Sequence, residues 1–298
     1  MANPAFELVC SNGPRSGVGE GRDCKMANWF ITGVSRGLGL ALAKAVLDAG
    51  DSVIGTTRSG GTPETLRGRA IDIHALDMID FDRTKEVVET IFSEGRRVDF
   101  LVNNAGYGLL GSVESSTDAE LKHLFDVDVF APIRIVRTAL PYLRAQGAGH
   151  IVNITSVAGR APGVGTALYA SAKHALEGFS LALAAEVKHL GIGVTAIAPG
   201  QFRTDFLSAD SARFSAPADD AYRRTVGAAL DTLGKANHQQ LGDPSAAARV
   251  IIETLKSNDP PLQLVLGSDA LRRIRGRIEE ALGELGAWEA MSVKTDYV

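Results

Sequence analysis

The chain has 298 residues, 45% hydrophobic and 22% charged, which is enough length and apolar content for a full core. A net charge of -4 with dispersed basic residues lacks the electrostatic footprint of a nucleic-acid or anionic-membrane binder, and no apolar run approaches the roughly 20 residues of a spanning helix. Only two cysteines occur, Cys10 and Cys24, both ahead of the first strong strand, so the expected setting is soluble, reducing and cytoplasmic, without disulfides.

Residues 1–26 lack periodicity and are rich in Gly and polar side chains. They read as a flexible N-terminal extension, with an upstream start or a cloning extension as its simplest origin. From Ala27 to the end, 27–298, short β-rich runs alternate with amphipathic helical stretches. The runs "NWFITG", "SVIGTT", "AIDIHALD", "DFLVNNAG", "GHIVNITS", "GVTAIAPG" and "LQLVLG" are the expected strands. Between them, "GLALAKAVLDAG", "FDRTKEVVETIFSEG", "DAELKHLFDVDVFAPIRIVRTALPYLRAQ" and "LYASAKHALEGFS" are the expected helices. This alternation predicts an α/β fold of Rossmann type, a doubly wound parallel sheet in a three-layer α/β/α arrangement forming a single domain. The less regular insert over about 201–241 reads as a small substrate lid, and about 268–298 as a C-terminal helical extension offering Trp288 for packing.

The first strand meets the first helix at "TGVSRGLGLA". Here Gly33, Gly37 and Gly39 permit a tight turn and close backbone approach to a pyrophosphate, with Ser35 and Leu38 in the same loop. The second strand ends "GTTRSG", without the Asp or Glu that would hold a ribose 2'-hydroxyl. Arg58 stands there instead, and Arg36 lies in the glycine loop, so the two guanidinium groups suit a 2'-phosphate and hence NADP(H). Two solvated loop arginines are the plain alternative. Asp77, after the third strand, suits the adenine amino group, or is simply a solvated strand-end acid.

Tyr169 and Lys173 lie one helical turn apart with small residues between them. Alone, such a pair is common on helices. Taken with "TGVSRGLG", "NNAG" at 103–106, Ser156 in "NITS", "YASAK" at 169–173 and "PG" at 199–200, it resembles the short-chain dehydrogenase/reductase family from Trp29 to about Leu266. "NNAGYGLLGSVE" and "APGQFRTDF" look most like the branch of hydroxysteroid and retinol dehydrogenases and bacterial carbonyl reductases.

The resemblance implies NADPH-dependent reduction of a ketone or aldehyde to an alcohol, reversibly, with Tyr169 as general acid/base. A phenol titrating near pH 10 needs help, and a cation about 4 Å away at an effective dielectric near 20 contributes up to roughly 4 kcal/mol, about three pKa units. Lys173 is thus expected to bring the phenol towards working pH and to hold ribose hydroxyls, while Ser156 binds the substrate oxygen. The same resemblance implies that Asn103, Ala105 and Gly106 brace the strand beside the cofactor, and that Pro199, Gly200 and Thr204 serve the nicotinamide side. Where the family commonly has Asn, this chain has Asp128, in "LFDVDVFAP". Its main-chain carbonyl could preserve the proton relay, while its carboxylate either alters the charge balance at Lys173 or caps local backbone.

Two other functions compete with the reductase. A hydroxysteroid-like NADP-linked dehydrogenase would have a deeper apolar cleft around Leu109, Leu110, Val164, Phe202 and Phe206, and a non-catalytic NADP-responsive binding protein would use the lid to recruit a partner. Retention of Ser156, Tyr169 and Lys173 argues against the latter. No metal-ligand spacing occurs among the six histidines, His174 falls about 100° around the helix from Lys173, and no G-x-S-x-G elbow is found. The resemblance further suggests a homodimer, with a tetramer as the alternative.

Overall fold

The computed structural model describes residues 26–93, 95–204, 212–215, 219–235 and 239–297. The expected extension up to residue 25, both cysteines and Phe206 lie outside the described residues. Strand β1 (Asn28–Ile31) shows how the layers arise: Trp29 and Ile31 point into one core and Phe30 into the other, because successive side chains alternate across a sheet buried on both faces. The Trp29 side is covered by α1 (Gly37–Asp48) and α7 (Pro244–Leu255), through residues such as Leu42, Val46, Ala248 and Ile251. The Phe30 side is covered by α2 (Phe81–Ser93), α4 (Ala131–Gln146) and α5 (Ala167–Val187), through Val88, Ile91, Ile135, Leu143 and Leu183.

The remaining main-sheet strands are β2 (Ser52–Thr57), β3 (Ile71–Ala75), β4 (Phe100–Asn103), β6 (Gly149–Ile154), β7 (Ile192–Pro199) and β9 (Gln263–Leu266). All seven pair in parallel in the order β3-β2-β1-β4-β6-β7-β9. The chain winds outward from β1 to β3 and then restarts at β4 on the other side of β1. That reversal opens a crevice at the carboxyl ends of β1 and β4, where ligands of doubly wound sheets bind.

Helix α3 (Asp118–Phe125) starts with a reciprocal capping box between Thr117 and Glu120. It runs through a π-helical turn, Asp126–Phe130, directly into α4, so the long expected helix forms with one register shift inside it. Helix α7 was not anticipated, although Asp243 caps it and Pro244 occupies its first turn. Two three-residue strands also escaped the sequence: β5 (Gly108–Leu110) and β8 (Ala212–Phe214) pair in parallel as a separate ribbon. The insert therefore contributes a strand as well as helical pieces, among them α6 (Ala228–Lys235).

Candidate active site

The glycine loop leaves β1 against the end of β4. Thr32 Oγ1 accepts from the backbone N–H groups of Asn104 and Ala105, each at 3.0 Å, and the Asn104 amide donates to the carbonyls of Thr32 and Gly33, each at 2.9 Å. Gly33 (φ 72°) lies so close that an added Cβ would stand 2.9 Å from Ala105 Cα, and one at Gly39 would overlap Gly33 O and the Asn104 amide. Gly37 is different. It too has positive φ, 59°, but a Cβ there would meet only Thr204 Cβ, at 3.8 Å. The loop is thus tightly packed at Gly33 and Gly39 and looser at Gly37, where a side chain would only touch Thr204. The α1 amino terminus receives no side-chain cap from Arg36. Helix N–H groups left without a side-chain cap beside a glycine loop fit a dinucleotide pyrophosphate.

Around this loop, Ser35, Arg36 and Arg58 are exposed, Leu38 and Asp77 half-buried, and Gly106 exposed at the crevice. Thr57 closes β2 with its hydroxyl on Gly61 O at 3.1 Å. Asp77 turns its carboxylate onto the Ile79 N–H at 3.3 Å. Asn103 is buried and its amide donates to Asn153 Oδ1 at 2.8 Å, so its side chain ties β4 to β6. Pro199 ends β7 and Gly200 follows it. Asp269 braces them by accepting from Gln201 N at 2.9 Å, and a Cβ on Gly200 would overlap its carboxylate.

Ser156, at the end of β6, Tyr169 and Lys173 converge below the crevice. Tyr169 and Ser156 share a side-chain hydrogen bond, and Ser156 Oγ also accepts from Ala158 N at 3.1 Å. Lys173 Nζ lies 5.7 Å from the Tyr169 ring centre and donates to Ile154 O at 3.3 Å. Asp128 completes the group. Its π-helical turn carries it to 0% exposure, with Oδ2 3.1 Å from Lys173 Nζ and Oδ1 accepting from Tyr107 N at 3.0 Å. Gly106 leaves room for it, since a Cβ there would stand 3.2 Å from both carboxylate oxygens.

A family profile described as short chain dehydrogenase matches residues 27–213. The chain belongs to the short-chain dehydrogenase/reductase family. It is accordingly an NAD(P)(H)-dependent oxidoreductase. The chain is 36% identical to "Oxidoreductase BOA17" of Botryotinia fuckeliana over 262 residues, covering 85% of this chain and 93% of that one. It is 30% identical to retinol dehydrogenase 8 of Bos taurus over 251 residues, 78% of this chain and 79% of the relative, in agreement with the hydroxysteroid and retinol dehydrogenase-like branch. A short-chain dehydrogenase from Streptomyces avermitilis superposes with TM-score 0.84 at 37% identity, covering 92% of this chain and all of that one (100%). The NADP-bound structure of ElxO shares the fold at TM-score 0.69 and 24% identity, over 83% of this chain and 99% of that one.

In this short-chain dehydrogenase Lys173 lowers the Tyr169 phenol as expected, but it is outweighed. Burial dominates and raises it; Lys173 pulls it down, while Asp128 pushes it further up. Burial opposes the Lys173 ammonium, but Asp128 and Tyr169 outweigh that and hold its pKa above the usual lysine value. Burial raises Asp128 too, against the pull of Lys173 and the Tyr107 N–H. Asp128 therefore accepts from a backbone N–H and also pairs with the lysine inside the site.

The apolar cleft residues are not gathered on one wall. Leu109 packs in the cluster that contains Tyr169, Leu110 is buried in the ribbon, Val164 is exposed, and Phe202 packs with the α1/α7 core. A further group beside the site is not marked by any sequence motif. The Arg213 guanidinium of β8 lies 5.0 Å from the Tyr107 ring centre, and His123 lies 5.4 Å from the same ring. Burial lowers His123 and Arg213 and Arg58 lower it further, against the opposing pull of Asp77 and Asp126. Burial pushes Tyr107 up to about 12. The aromatic in "NNAGY" directly after the glycine-loop partner was the available signal; Arg213 had none, being placed by a pairing between distant segments.

Proposed function

We propose that the protein reduces a ketone or aldehyde to an alcohol with NADPH, reversibly, Tyr169 being the general acid/base. The observation that carries this reading is the group of half-buried Ser156 with buried Tyr169 and Lys173 at the crevice. When bound, NADPH supplies the hydride. The α1 amino terminus and the loop from Gly33 to Gly39 would hold its pyrophosphate, with Gly106, Pro199, Gly200 and Thr204 along the rest of its length. Ser156 Oγ and Tyr169 Oη bind the carbonyl oxygen, and Tyr169 Oη gives up its proton as the carbonyl carbon gains hydride. A phenol raised above its ordinary value keeps that proton at neutral pH, which suits the acid role. Lys173 stabilises the resulting phenolate and orients the ribose.

Arg36 and Arg58 read the 2'-phosphate. The absence of an acid at the β2 end supports this, because Thr57 is occupied with Gly61. The insert after β7 acts as the substrate lid, and Leu109 beside Tyr169 favours a substrate with apolar surface.

The test is turnover of the purified chain on ketones, aldehydes and steroids, following NADPH and NADH separately, with Tyr169→Phe alongside. The expected result is NADPH consumption that falls by about 10²–10⁴ in Tyr169→Phe while NADPH binding persists. Unchanged turnover in Tyr169→Phe sinks the acid/base role. Arg36→Ala with Arg58→Ala should weaken NADPH far more than NADH, and equal losses would remove the 2'-phosphate assignment.

A further inference from the structure

Beside the catalytic group stands a second set of polar side chains, and these lack partners. Arg213 of β8 is exposed, with its guanidinium carbon 5.0 Å from the centre of the Tyr107 ring, where cation–π attraction holds it. His123, half-buried on α3, meets the same ring at 5.4 Å. Neither side chain makes a hydrogen bond or an ion pair with another described residue. The Tyr107 hydroxyl is buried and has no partner among them either. A buried hydroxyl in that condition is destabilising unless a ligand completes it.

The chemistry of the three groups says what is missing. A guanidinium only donates, a neutral imidazole donates from one nitrogen, and a phenol pushed up to about 12 keeps its proton to donate. The acids whose charge reaches Tyr107 or His123 are engaged elsewhere: Glu120 in the capping box with Thr117, Asp126 with Lys122, Asp128 with Lys173, and Asp77 on the Ile79 N–H. Three donors converge on one ring without an acceptor, so the complement is an anion.

Position says which anion. In the β5–β8 ribbon Arg213 stands in register with Leu109, and Leu109 packs in the cluster that also holds Tyr107 and Tyr169. A ligand with its carbonyl on Ser156 and Tyr169 would cross Leu109 and meet Arg213 one strand farther out, a spacing of about 4.8 Å. The cofactor phosphates have other donors, in the loop from Gly33 to Gly39 with Arg36 and Arg58. A carbonyl site, an apolar wall and a cation in that order fit an amphipathic acid.

We propose that Arg213, His123 and the Tyr107 hydroxyl bind the carboxylate of the substrate, which is a keto acid with an apolar chain between its carbonyl and its acid group. The substrate class rests on the reductase reading of Ser156, Tyr169 and Lys173; the anion site does not.

Two measurements on the full chain keep these apart. In the first, octanoate and octanol are titrated calorimetrically into the protein loaded with NADP+. Octanoate should bind the more tightly, and Arg213→Met, which keeps an apolar stem, should weaken it at least about 10-fold while leaving octanol and NADP+ within about 2-fold. Circular dichroism verifies that the variant is folded. No octanoate binding, or binding indifferent to Arg213, overturns the proposal. A loss of NADP+ affinity as large as the loss of octanoate assigns Arg213 to a cofactor phosphate and overturns it too. The second measurement is NADPH-dependent turnover of methyl-ketone acids of increasing chain length, each beside its methyl ester. Acids should have the lower KM in wild type, and Arg213→Met should raise the KM of the acids alone by about 10-fold, with kcat retained. Esters reduced as well as acids overturn the keto-acid assignment. Arg213-dependent octanoate binding without turnover of any ketone would instead sink the reductase reading and leave the anion site standing.

Discussion

One turn of α5 separates Lys173 from Glu177, yet the two belong to differently built ion pairs. Glu177 is saturated. Its Oε1 accepts from Thr155 Oγ1 at 2.5 Å and from Arg160 Nε at 2.9 Å, its Oε2 from Gln263 Nε2 at 3.1 Å, and Arg160 also donates to Ala196 O at 3.1 Å. Lys173 meets two acceptors among the described residues, Asp128 and Ile154 O, although an ammonium has three N–H groups to give. The saturated pair ties α5 to both sides of Ser156 and to β9. The other keeps a donor in reserve at the crevice and sets the charge around Tyr169. Neighbouring buried pairs on one helix thus divide the labour of holding the site and of tuning it.

The largest effect should come from breaking the holding pair. Glu177→Ala leaves Arg160 as a buried charge without its carboxylate, which typically costs about 3–5 kcal/mol. Urea unfolding at neutral pH measures it. Arg160→Met combined with Glu177→Met should recover much of that loss, because the cost lies in the orphaned charge rather than in the pair's net worth. A double variant as unstable as the sum of its singles would show that the two side chains are not coupled.

A smaller effect on stability and a larger one on pH dependence should follow from Asp128→Asn. Asn retains an oxygen for the Tyr107 N–H, so the stability change is expected within about 2 kcal/mol. The negative charge that raises both Tyr169 and Lys173 is removed, so both values fall. For reduction, where the phenol must be protonated, activity is lost as pH rises through the Tyr169 value; the limb should move to lower pH in Asp128→Asn. For oxidation, where the phenolate is needed, the rising limb should move the same way. Profiles that superpose with wild type would take Asp128 out of the tuning role.

The two pairs were not equally legible. Tyr169, Lys173 and Ser156 stand in motifs whose order is readable along the chain, and the structure has Ser156 just after β6 and Tyr169 and Lys173 one turn apart on α5. The seven main strands were legible for the same reason, since a sheet buried on both faces writes each strand as a short apolar run. Glu177 was not, because its partners Arg160 and Gln263 are joined only by the fold, and a buried acid at helical spacing looks like a solvated face. Lys173 lowers Tyr169 as the isolated pair suggested, yet the net shift is upward, because burial of the phenol was not visible in sequence and a π-helical turn, not an ordinary helix, aims Asp128 at the lysine. The β5–β8 ribbon was illegible because three-residue strands carry no period and pair across a long stretch of chain.

The smallest effect is expected at Tyr107, which joins the tuning pair to Arg213 of β8. Its N–H holds Asp128, while its hydroxyl is buried with no hydrogen-bond partner among the described residues. A buried hydroxyl left unpaired costs about 1–3 kcal/mol, so Tyr107→Phe should leave stability unchanged or raise it by about 1 kcal/mol in urea unfolding. The ring stays in place for Arg213 and His123, and the backbone N–H for Asp128, so the tuning of Tyr169 should also persist. Turnover then discriminates. An unchanged KM with higher stability makes the hydroxyl a plain cost of packing; a KM raised several-fold, with kcat and the pH profile retained, makes it a group kept unpaired for a ligand at the crevice, in the same sense that Lys173 keeps a donor in reserve. A fall in stability beyond about 1 kcal/mol would mean that the hydroxyl is paired in solution, and would place Tyr107 with Glu177 among the groups that hold the site.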